Sequence, residues 1–547
     1  MVYLLISVAV VLSLVVFSTV SVKRRRNHRL DEIRMAWGSV KPREINFHRA
    51  GRYARQFADP ELHSLSQQTL DDIDFSRLFA FVDRTTSAPG QQYLYRQLVH
   101  PSQSRRDLTA LDEEVEAMRN DIKQREAIQI ELSRLNQPSA YGICQTITPE
   151  VNPGPRWMKF LPYSSMLVIA FGLIAIKLPI FFLALLVPVT LNVFVHYWHR
   201  TDKGLQYGSF SELNTLVEVA SNINKVRGQD RPGLVDSVRQ LKSLTWKLAL
   251  LKPGRSAMQD DLSQYGYYAG ELLNAIFLIE VLTVRSLENV LAAKADAIKV
   301  LFDYVGWIDM SISVASLRAG VRKTCVPVLT EECRKLSAVE IYHPLIRNCV
   351  KNDVAISGRS LVITGSNLSG KTTLLRSIII NSILAQSIHT CFADAFQSPI
   401  LRQFSSIRID DNLFEGRSYF FEEVNVVGNF IEAMQPGHQN LFVLDEVFKG
   451  TNSVERTALG KAVLSYLNQG NNIVVVSTHD LDLARLLDEE YDGYHFAETI
   501  EDGRLHFDHK LRPGPLKTRN AINLLELANF PEEIVKEARS ISAGADE

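Results

Sequence analysis

The stretch that most restricts this chain is VITGSNLSGKTTLLRS, residues 362–377. It sets a β-rich run before a loop holding two glycines, and a helix-like run after it. The spacing G-x-x-x-x-G-K-[ST] is met by Gly365, Gly370, Lys371 and Thr372. Glycines at those places let backbone N–H groups converge on an anion at a helix N-terminus, where the peptide dipoles favour negative charge. The lysine adds a point charge suited to terminal phosphates, and a hydroxyl at the next position can ligate Mg²⁺. A nucleoside triphosphate, ATP with Mg²⁺, is the expected ligand. Its contacts are expected from Gly365, Ser366, Asn367, Leu368, Ser369, Gly370, Lys371, Thr372 and Thr373.

Two further apolar runs extend the pattern. NLFVLDEVFKGTN carries a buried-type strand, Leu441 to Leu444, ending in Asp445 and Glu446. Asp445 is placed to hold Mg²⁺ together with Thr372, and Glu446 to polarise an attacking water. The bland alternative for such a carboxylate pair is helix N-capping. NIVVVSTHDLDLA is a third strand, ending at Thr478 and His479. A lone histidine is more often structural, but one following two such strands can contact the γ-phosphate or its water. These pieces predict a parallel α/β sheet with ligand at the carboxyl ends of its strands.

Elsewhere the chain is greasy. Residues 3–22, YLLISVAVVLSLVVFSTVSV, are uncharged and long enough to cross a bilayer, and KRRR (Lys23 to Arg26) follows at once. A cleaved leader carries its charges before the apolar run, so the reversed order predicts an anchor with the remaining chain in the cytoplasm. A second apolar region, about 160–195, is interrupted at Lys177–Pro179 and reads as a hairpin of two short helices. Trp157, Tyr163, Tyr197 and Trp198 lie where interfacial aromatics belong, with Arg156, Lys159, Arg200 and Lys203 on the cytoplasmic flank. A hairpin buried in a soluble core would show a polar face, and this one does not. The expectation is a multi-pass protein of a bacterial-type inner membrane with three spans and cytoplasmic soluble regions.

Net charge is nearly balanced, with 60 basic against 61 acidic residues, so no global polybasic character marks a nucleic-acid binder. The five cysteines form no CxxC pair and have no histidine at zinc-site spacing, which argues against a zinc site or a disulfide framework.

The order and wording of the nucleotide motifs resemble the ATPase domain of the MutS family of DNA mismatch-repair proteins. The family's T-G-x-N-x-x-G-K-[ST]-T is matched by Thr364, Gly365, Asn367, Gly370, Lys371, Thr372 and Thr373, and its D-E-x-x-x-G-T by Asp445, Glu446, Gly450 and Thr451. Between them EGRSYFFEEV resembles a family segment whose serine reaches the nucleotide of the partner subunit. The resemblance assigns that role to Ser418, with Phe420 and Glu423 also matching and Tyr419 departing from the usual threonine. THDLDL departs too, with Asp482 where the family has glutamate. EIYHPLI resembles the entry to the domain, residues 510–539 its dimerising tail, and residues 81–108 the start of the core domain.

The implied architecture is a P-loop NTPase domain of the MutS kind (335–547) after a mostly α-helical lever. A cytoplasmic helical segment with the start of the core domain occupies 27–156 and the helical core or lever 200–334, with a transmembrane anchor and its basic flank at 1–26 and the transmembrane hairpin at 157–199. The resemblance further implies a homodimer with composite ATP sites and coupling to DNA. The interval before residue 81 is too short for the family's mismatch-reading and connector domains, and the hairpin stands where a DNA clamp would be inserted. Those departures argue against mismatch reading and leave DNA binding through phosphate contacts open. Two other functions fit the same residues: a nucleotide-switched membrane scaffold that binds no DNA, and a transport ATPase of the ABC kind, although no LSGGQ-like text precedes Asp445.

Overall fold

The computed structural model describes residues 20–21, 23–24, 26–42, 44–58, 62–148, 155–228, 231–249, 251, 261–366, 369–408, 419–501, 504–515 and 530–544. Most of the N-terminal apolar run lies outside these residues, as do Asn367, Leu368, Ser418 and much of the C-terminal tail. Two compact units divide the chain. One takes the residues up to Ala58 with Asp83–Arg96 and Glu114–Leu317; the other takes Asp59–Val82, Gln97–Glu113 and the chain from Arg318 onward.

The first unit is helical. Its main elements are α1 (Leu161–Ala175), α2 (Phe181–Arg227), α3 (Asp261–Phe277), α4 (Ile279–Ala292) and most of α5 (Ala295–Gly320). The Lys177–Pro179 interruption is an exposed turn joining α1 to α2. Helix α2 runs 47 residues without a break, about 70 Å at ~1.5 Å per residue, and stops where Gly228 takes the left-handed conformation at φ 61°. Its two halves live in different surroundings. Phe210, Leu213, Leu216, Val217, Ala220 and Ile223 recur at helical spacing and are buried. In the first half, Phe182, Leu183, Val187, Leu191 and Phe194 are exposed.

Among the described residues, three helical stretches are long and apolar enough to cross a membrane: Trp157–Ala175, Phe181–His199 and Ala295–Gly320. The third is 83% buried inside the protein, against 33% and 22% for the first two, so α5 is a core helix and the hairpin is not. Within the α5 core, the Asp309 carboxylate accepts from Thr86 N, Ser87 N and Ser87 Oγ, capping the helix Ala88–Val99. Gly90 has to be glycine there, because a Cβ would sit 2.1 Å from Asp309 Oδ2. Burial pushes the Asp309 carboxyl up to about 6, against the pull of these donors.

The second unit holds two sheets. In chain order their strands are β1 (Val328–Leu329), β2 (Lys335–Ile341), β3 (Asn352–Ser357), β4 (Ser360–Thr364), β5 (Ala395–Ser398), β6 (Arg402–Ser406), β7 (Asn440–Asp445), β8 (Ile473–Thr478), β9 (Tyr491–Glu501) and β10 (Arg504–Pro513). The smaller sheet has the order β1-β5-β2-β3, and the larger β10-β9-β4-β8-β7-β6. Only the β9–β10 pair of the larger sheet is antiparallel. Strands β4 and β8 are buried along their whole length, which is why both read as unbroken apolar runs. Helix α6 (Lys371–Ser387) packs on β6, β7 and β8. Helices α7 (Tyr419–Ala433), α8 (Ser453–Leu467) and α9 (Leu481–Leu486) share a core with Val362, Phe442, Leu444, Val474 and Val476. The N-terminal helix Gln67–Asp72 docks on the β6 edge, where buried Asp72 accepts from Ser405 Oγ, Ile407 N and Arg408 N.

Candidate functional site

The site assembles at the carboxyl ends of β4, β8 and β7, which are neighbours in the sheet though far apart in sequence. Strand β4 ends at Thr364 and releases the glycine loop, which feeds α6 at Lys371. Gly365 has φ 144°, and a Cβ there would lie 3.1 Å from the Phe496 carbonyl oxygen. Gly370 has φ 109° and supports the Nδ1 edge of His509, which would be 3.2 Å from an added Cβ. Both positions demand glycine for conformation and for space. Lys371 is buried and its Nζ donates to the carbonyls of Gly365 (2.5 Å) and Ser366 (3.0 Å), curling over the loop. Burial lowers its pKa, partly offset by Glu446 and Asp445. Ser369 Oγ donates back to the Ser366 carbonyl at 2.7 Å, while the buried Ser366 Oγ has no hydrogen-bond partner among the described residues.

Thr372, in the first turn of α6, donates from Oγ1 to Asp445 Oδ2 at 2.6 Å. The other oxygen of Asp445 accepts from Ser477 Oγ, on the strand inserted between β4 and β7. A hydroxyl and a carboxylate converging beside a phosphate-type loop are the hard oxygen donors Mg²⁺ uses when it is held by few protein ligands and substrate phosphates. The residues therefore fit that ion. Among the described residues no group of three or more His, Cys, Asp or Glu could hold a metal by side chains alone.

Glu446 follows at once. Its N–H bonds the Ser477 carbonyl at 3.0 Å, and its φ of 56° is left-handed, as is that of Phe448 at 58°. Non-glycine residues in that region cost about 1–3 kcal/mol each and persist where surrounding contacts impose them. Here the carboxylate is gripped on both sides: His479 Nδ1 is 3.2 Å from Oε1, and Lys449 Nζ is 3.1 Å from Oε2. Burial pushes the Glu446 carboxyl up, but the Lys449 ammonium and His479 outweigh it and hold it below the usual range. His479, by contrast, is half exposed.

Glu423 on α7 is buried, and its carboxylate accepts from the N–H groups of Lys449 (3.1 Å) and Gly450 (3.4 Å). A Cβ on Gly450 would come within 2.9 Å of Phe420 Cβ. The spacing of Phe420, Glu423 and Gly450 in the sequence is thus one contact in space: the start of α7 clamps the loop behind Glu446. Tyr419 opens α7, and Ser418 lies just outside the described residues. Thr373 lines a cavity described below. Asp482 sits on the surface beside Arg485 and takes no part in the cluster. Its neighbour Asp480 caps α9 and accepts from Thr457.

Three participants escaped sequence reasoning. Ser477 hides in an apolar strand, and Lys449 in a loop. His509 lies on β10, its φ 52° pinned by Asn352, which donates to its carbonyl at 3.0 Å and accepts from Leu511 N at 2.8 Å. Its ring meets the Ser369 carbonyl at 2.9 Å. Beside it opens a cavity of about 400 Å³, bounded by Ile346, Val350, Thr372 and Thr373. Apolar walls and one imidazole next to a phosphate-type loop suit a nucleoside.

A strand, glycine loop and helix at the carboxyl edge of a largely parallel sheet define the P-loop class of nucleotide-binding domains. Within that class, residues 361–545 match the family model of MutS domain V, a P-loop ATPase domain. The likeness to the MutS family is carried by this domain. It is 31% identical over 255 residues to the DNA mismatch repair protein MutS of Roseiflexus castenholzii, covering 44% of this chain and 23% of that one. Similarity to DNA mismatch repair protein MutS 2 of Haloarcula marismortui is 32% over 189 residues, or 34% and 20% of the two chains. With MutS of Chloroflexus aurantiacus it is 28% over 294 residues, or 51% and 30%. The matched stretch thus spans no more than 30% of these relatives' own length.

Proposed function

We propose that this chain is a membrane-anchored ATPase that binds and hydrolyses ATP at sites completed by a second copy of itself, and that it couples the cycle to DNA. The observation that carries the reading is the contact of Thr372 with Asp445 beside the Glu446–His479 pair. Lys371 exchanges its two loop carbonyls for phosphate oxygens, and the loop N–H groups orient the triphosphate. Thr372 and Asp445 would hold Mg²⁺, which when bound supplies positive charge to the phosphoryl oxygens. Glu446, kept ionised, accepts the proton of an incoming water, and His479 holds that carboxylate in position. Ser418, adjoining the clamp formed by Phe420 and Glu423, reaches the nucleotide of the neighbouring copy. Coupling to DNA is supported by the relatives, which are named DNA mismatch repair proteins. Bilayer attachment is supported by the two exposed apolar stretches of the hairpin.

Glu446→Gln tests the assignment. The variant should bind ATP as the parent does and turn it over about a hundredfold more slowly or worse. Undiminished hydrolysis would remove Glu446 from the chemistry. DNA coupling has its own test: binding of duplex DNA by the full chain in detergent should weaken steeply with salt. No binding at low salt with ATPase intact would favour the scaffold reading.

A further inference from the structure

Helices α3 and α4 are joined by a break at Leu278, whose φ is 51°. A break leaves carbonyls without helical partners, and here two of them are met by polar side chains of the hairpin. Asn192 Nδ2 donates to the Ile276 carbonyl at 2.7 Å, and Ser165 Oγ to the Phe277 carbonyl at 2.9 Å. Ser164 Oγ completes the set by donating to Asn192 Oδ1 at 2.6 Å. Asn192 is fully buried, in a stretch where most of its helix is apolar and exposed. Irregular backbone at membrane depth is tolerated only where protein groups satisfy it in this way.

The contacts also give the path. Asn192 meets Ile276 while His196 lies 3.8 Å from Glu271, so α3 runs antiparallel to α2. After the break, Leu278 and Val281 pack with Met158, Leu161 and Val195, back toward the start of α1. The tip therefore reaches the level of Asn192, about 10 Å in from His199 at ~1.5 Å per residue, roughly a third of a ~30 Å hydrocarbon core. Two acidic groups of the segment face protein: Glu271 is 19% exposed and Glu280 8%. Tyr268, Leu272 and Leu273 are instead exposed, at 59%, 59% and 51%.

We propose that α3, its break and α4 form a re-entrant element that dips into the near leaflet beside the α1–α2 hairpin and presents Leu272 and Leu273 to lipid acyl chains. The proposal rests on the hairpin itself lying in the bilayer. A photo-crosslinking amino acid, p-benzoylphenylalanine, placed singly at Leu183, Leu272, Leu273 or Ile122 in the full chain tests both. Cells are fed an alkyne-bearing fatty acid, their membranes are irradiated, and lipid adducts are detected on the purified chain after its melting is shown to match the parent's. Adducts are expected at Leu183, Leu272 and Leu273 and absent at Ile122, an exposed residue of a core helix. Adducts at Leu183 with none at Leu272 or Leu273 overturn the re-entrant element alone. None at Leu183 overturns the hairpin's place in the bilayer, and this element with it.

Discussion

At the scale of single residues, the site is built from groups that hold one another in costly positions. Glu446 sits at positive φ because β7 continues to pair with β8 through its own N–H, while Lys449 and Glu423 turn the loop back. Glu423 is therefore a positioning residue. Burial pushes its carboxyl up, and the N–H groups of Lys449 and Gly450 only partly oppose that. Glu423→Ala leaves two N–H groups without their acceptor, and should cost about 1–3 kcal/mol of stability. It should also lower kcat with little change in ATP affinity, because the glycine loop is untouched. Calorimetric melting and steady-state ATPase rates measure the two effects. A stable variant with parental kcat would mean that the clamp does not position Glu446. The chemistry of Lys371, Thr372, Asp445 and Glu446 was legible from spacing alone. Ser477, Lys449 and His509 were not, because nothing local distinguishes a strand serine that faces a carboxylate on the preceding strand, or a loop lysine that turns back on one three residues earlier.

At the scale of elements, the large sheet works because three apolar strands end at one edge with polar residues in the next one or two positions. Apolar runs announce such strands, but their order does not follow from the runs. The sequence passes β4, β7, β8, whereas the sheet places β8 between the other two, and this insertion delivers Ser477 to Asp445. Two histidines of the second unit accept backbone hydrogen bonds in their neutral form. His63 Nε2 accepts from Gln403 N at 3.1 Å, and His343 Nδ1 from Leu345 N at 3.3 Å. Burial pushes each down to about 4. In the unfolded chain each takes up its proton near 6.5. Between those values the unfolded state binds more protons, so stability falls as pH drops from about 6.5 toward 4, and is fully present above that window. At pH 5 the loss is on the order of 2 kcal/mol per histidine. The melting temperature should fall between pH 7 and pH 5, less steeply in His63→Gln, and an unchanged slope in that variant would show that His63 titrates normally.

At the scale of the whole molecule, the unbroken α2 helix makes the hairpin and the buried helical core one element rather than two domains joined by a linker. The apolar half is exposed and the amphipathic half is packed, so a single helix has two kinds of surroundings. The proposed sharing of a nucleotide site between two copies also belongs to this scale. Mixed dimers carrying Ser418→Ala in one copy and Lys371→Ala in the other should retain at most half the parental ATPase rate. In the converse arrangement, with both changes in one copy, the one site that keeps its lysine faces a partner without its serine, and turnover should be lost. The reverse order, with turnover lost in the first arrangement and half retained in the second, would show that Ser418 acts within its own chain, and equal rates would show that it takes no part. The rates are read on dimers purified through two different affinity tags.

The glycine loop, the acidic strand end and the uncharged hairpin were decided by sequence, since each depends on a short-range requirement: positive φ beside a lysine, a carboxylate after a buried run, or length without charge. Tertiary structure decided what those features share. It chose the strand order that seats Ser477 on Asp445, the clamp of Glu423 behind Glu446, and the burial that sets α5 in the core while α1 and the first half of α2 stay exposed. Helices of equal length and apolarity look alike in sequence. Only the partners that cover them, or fail to, tell a core helix from one built for lipid.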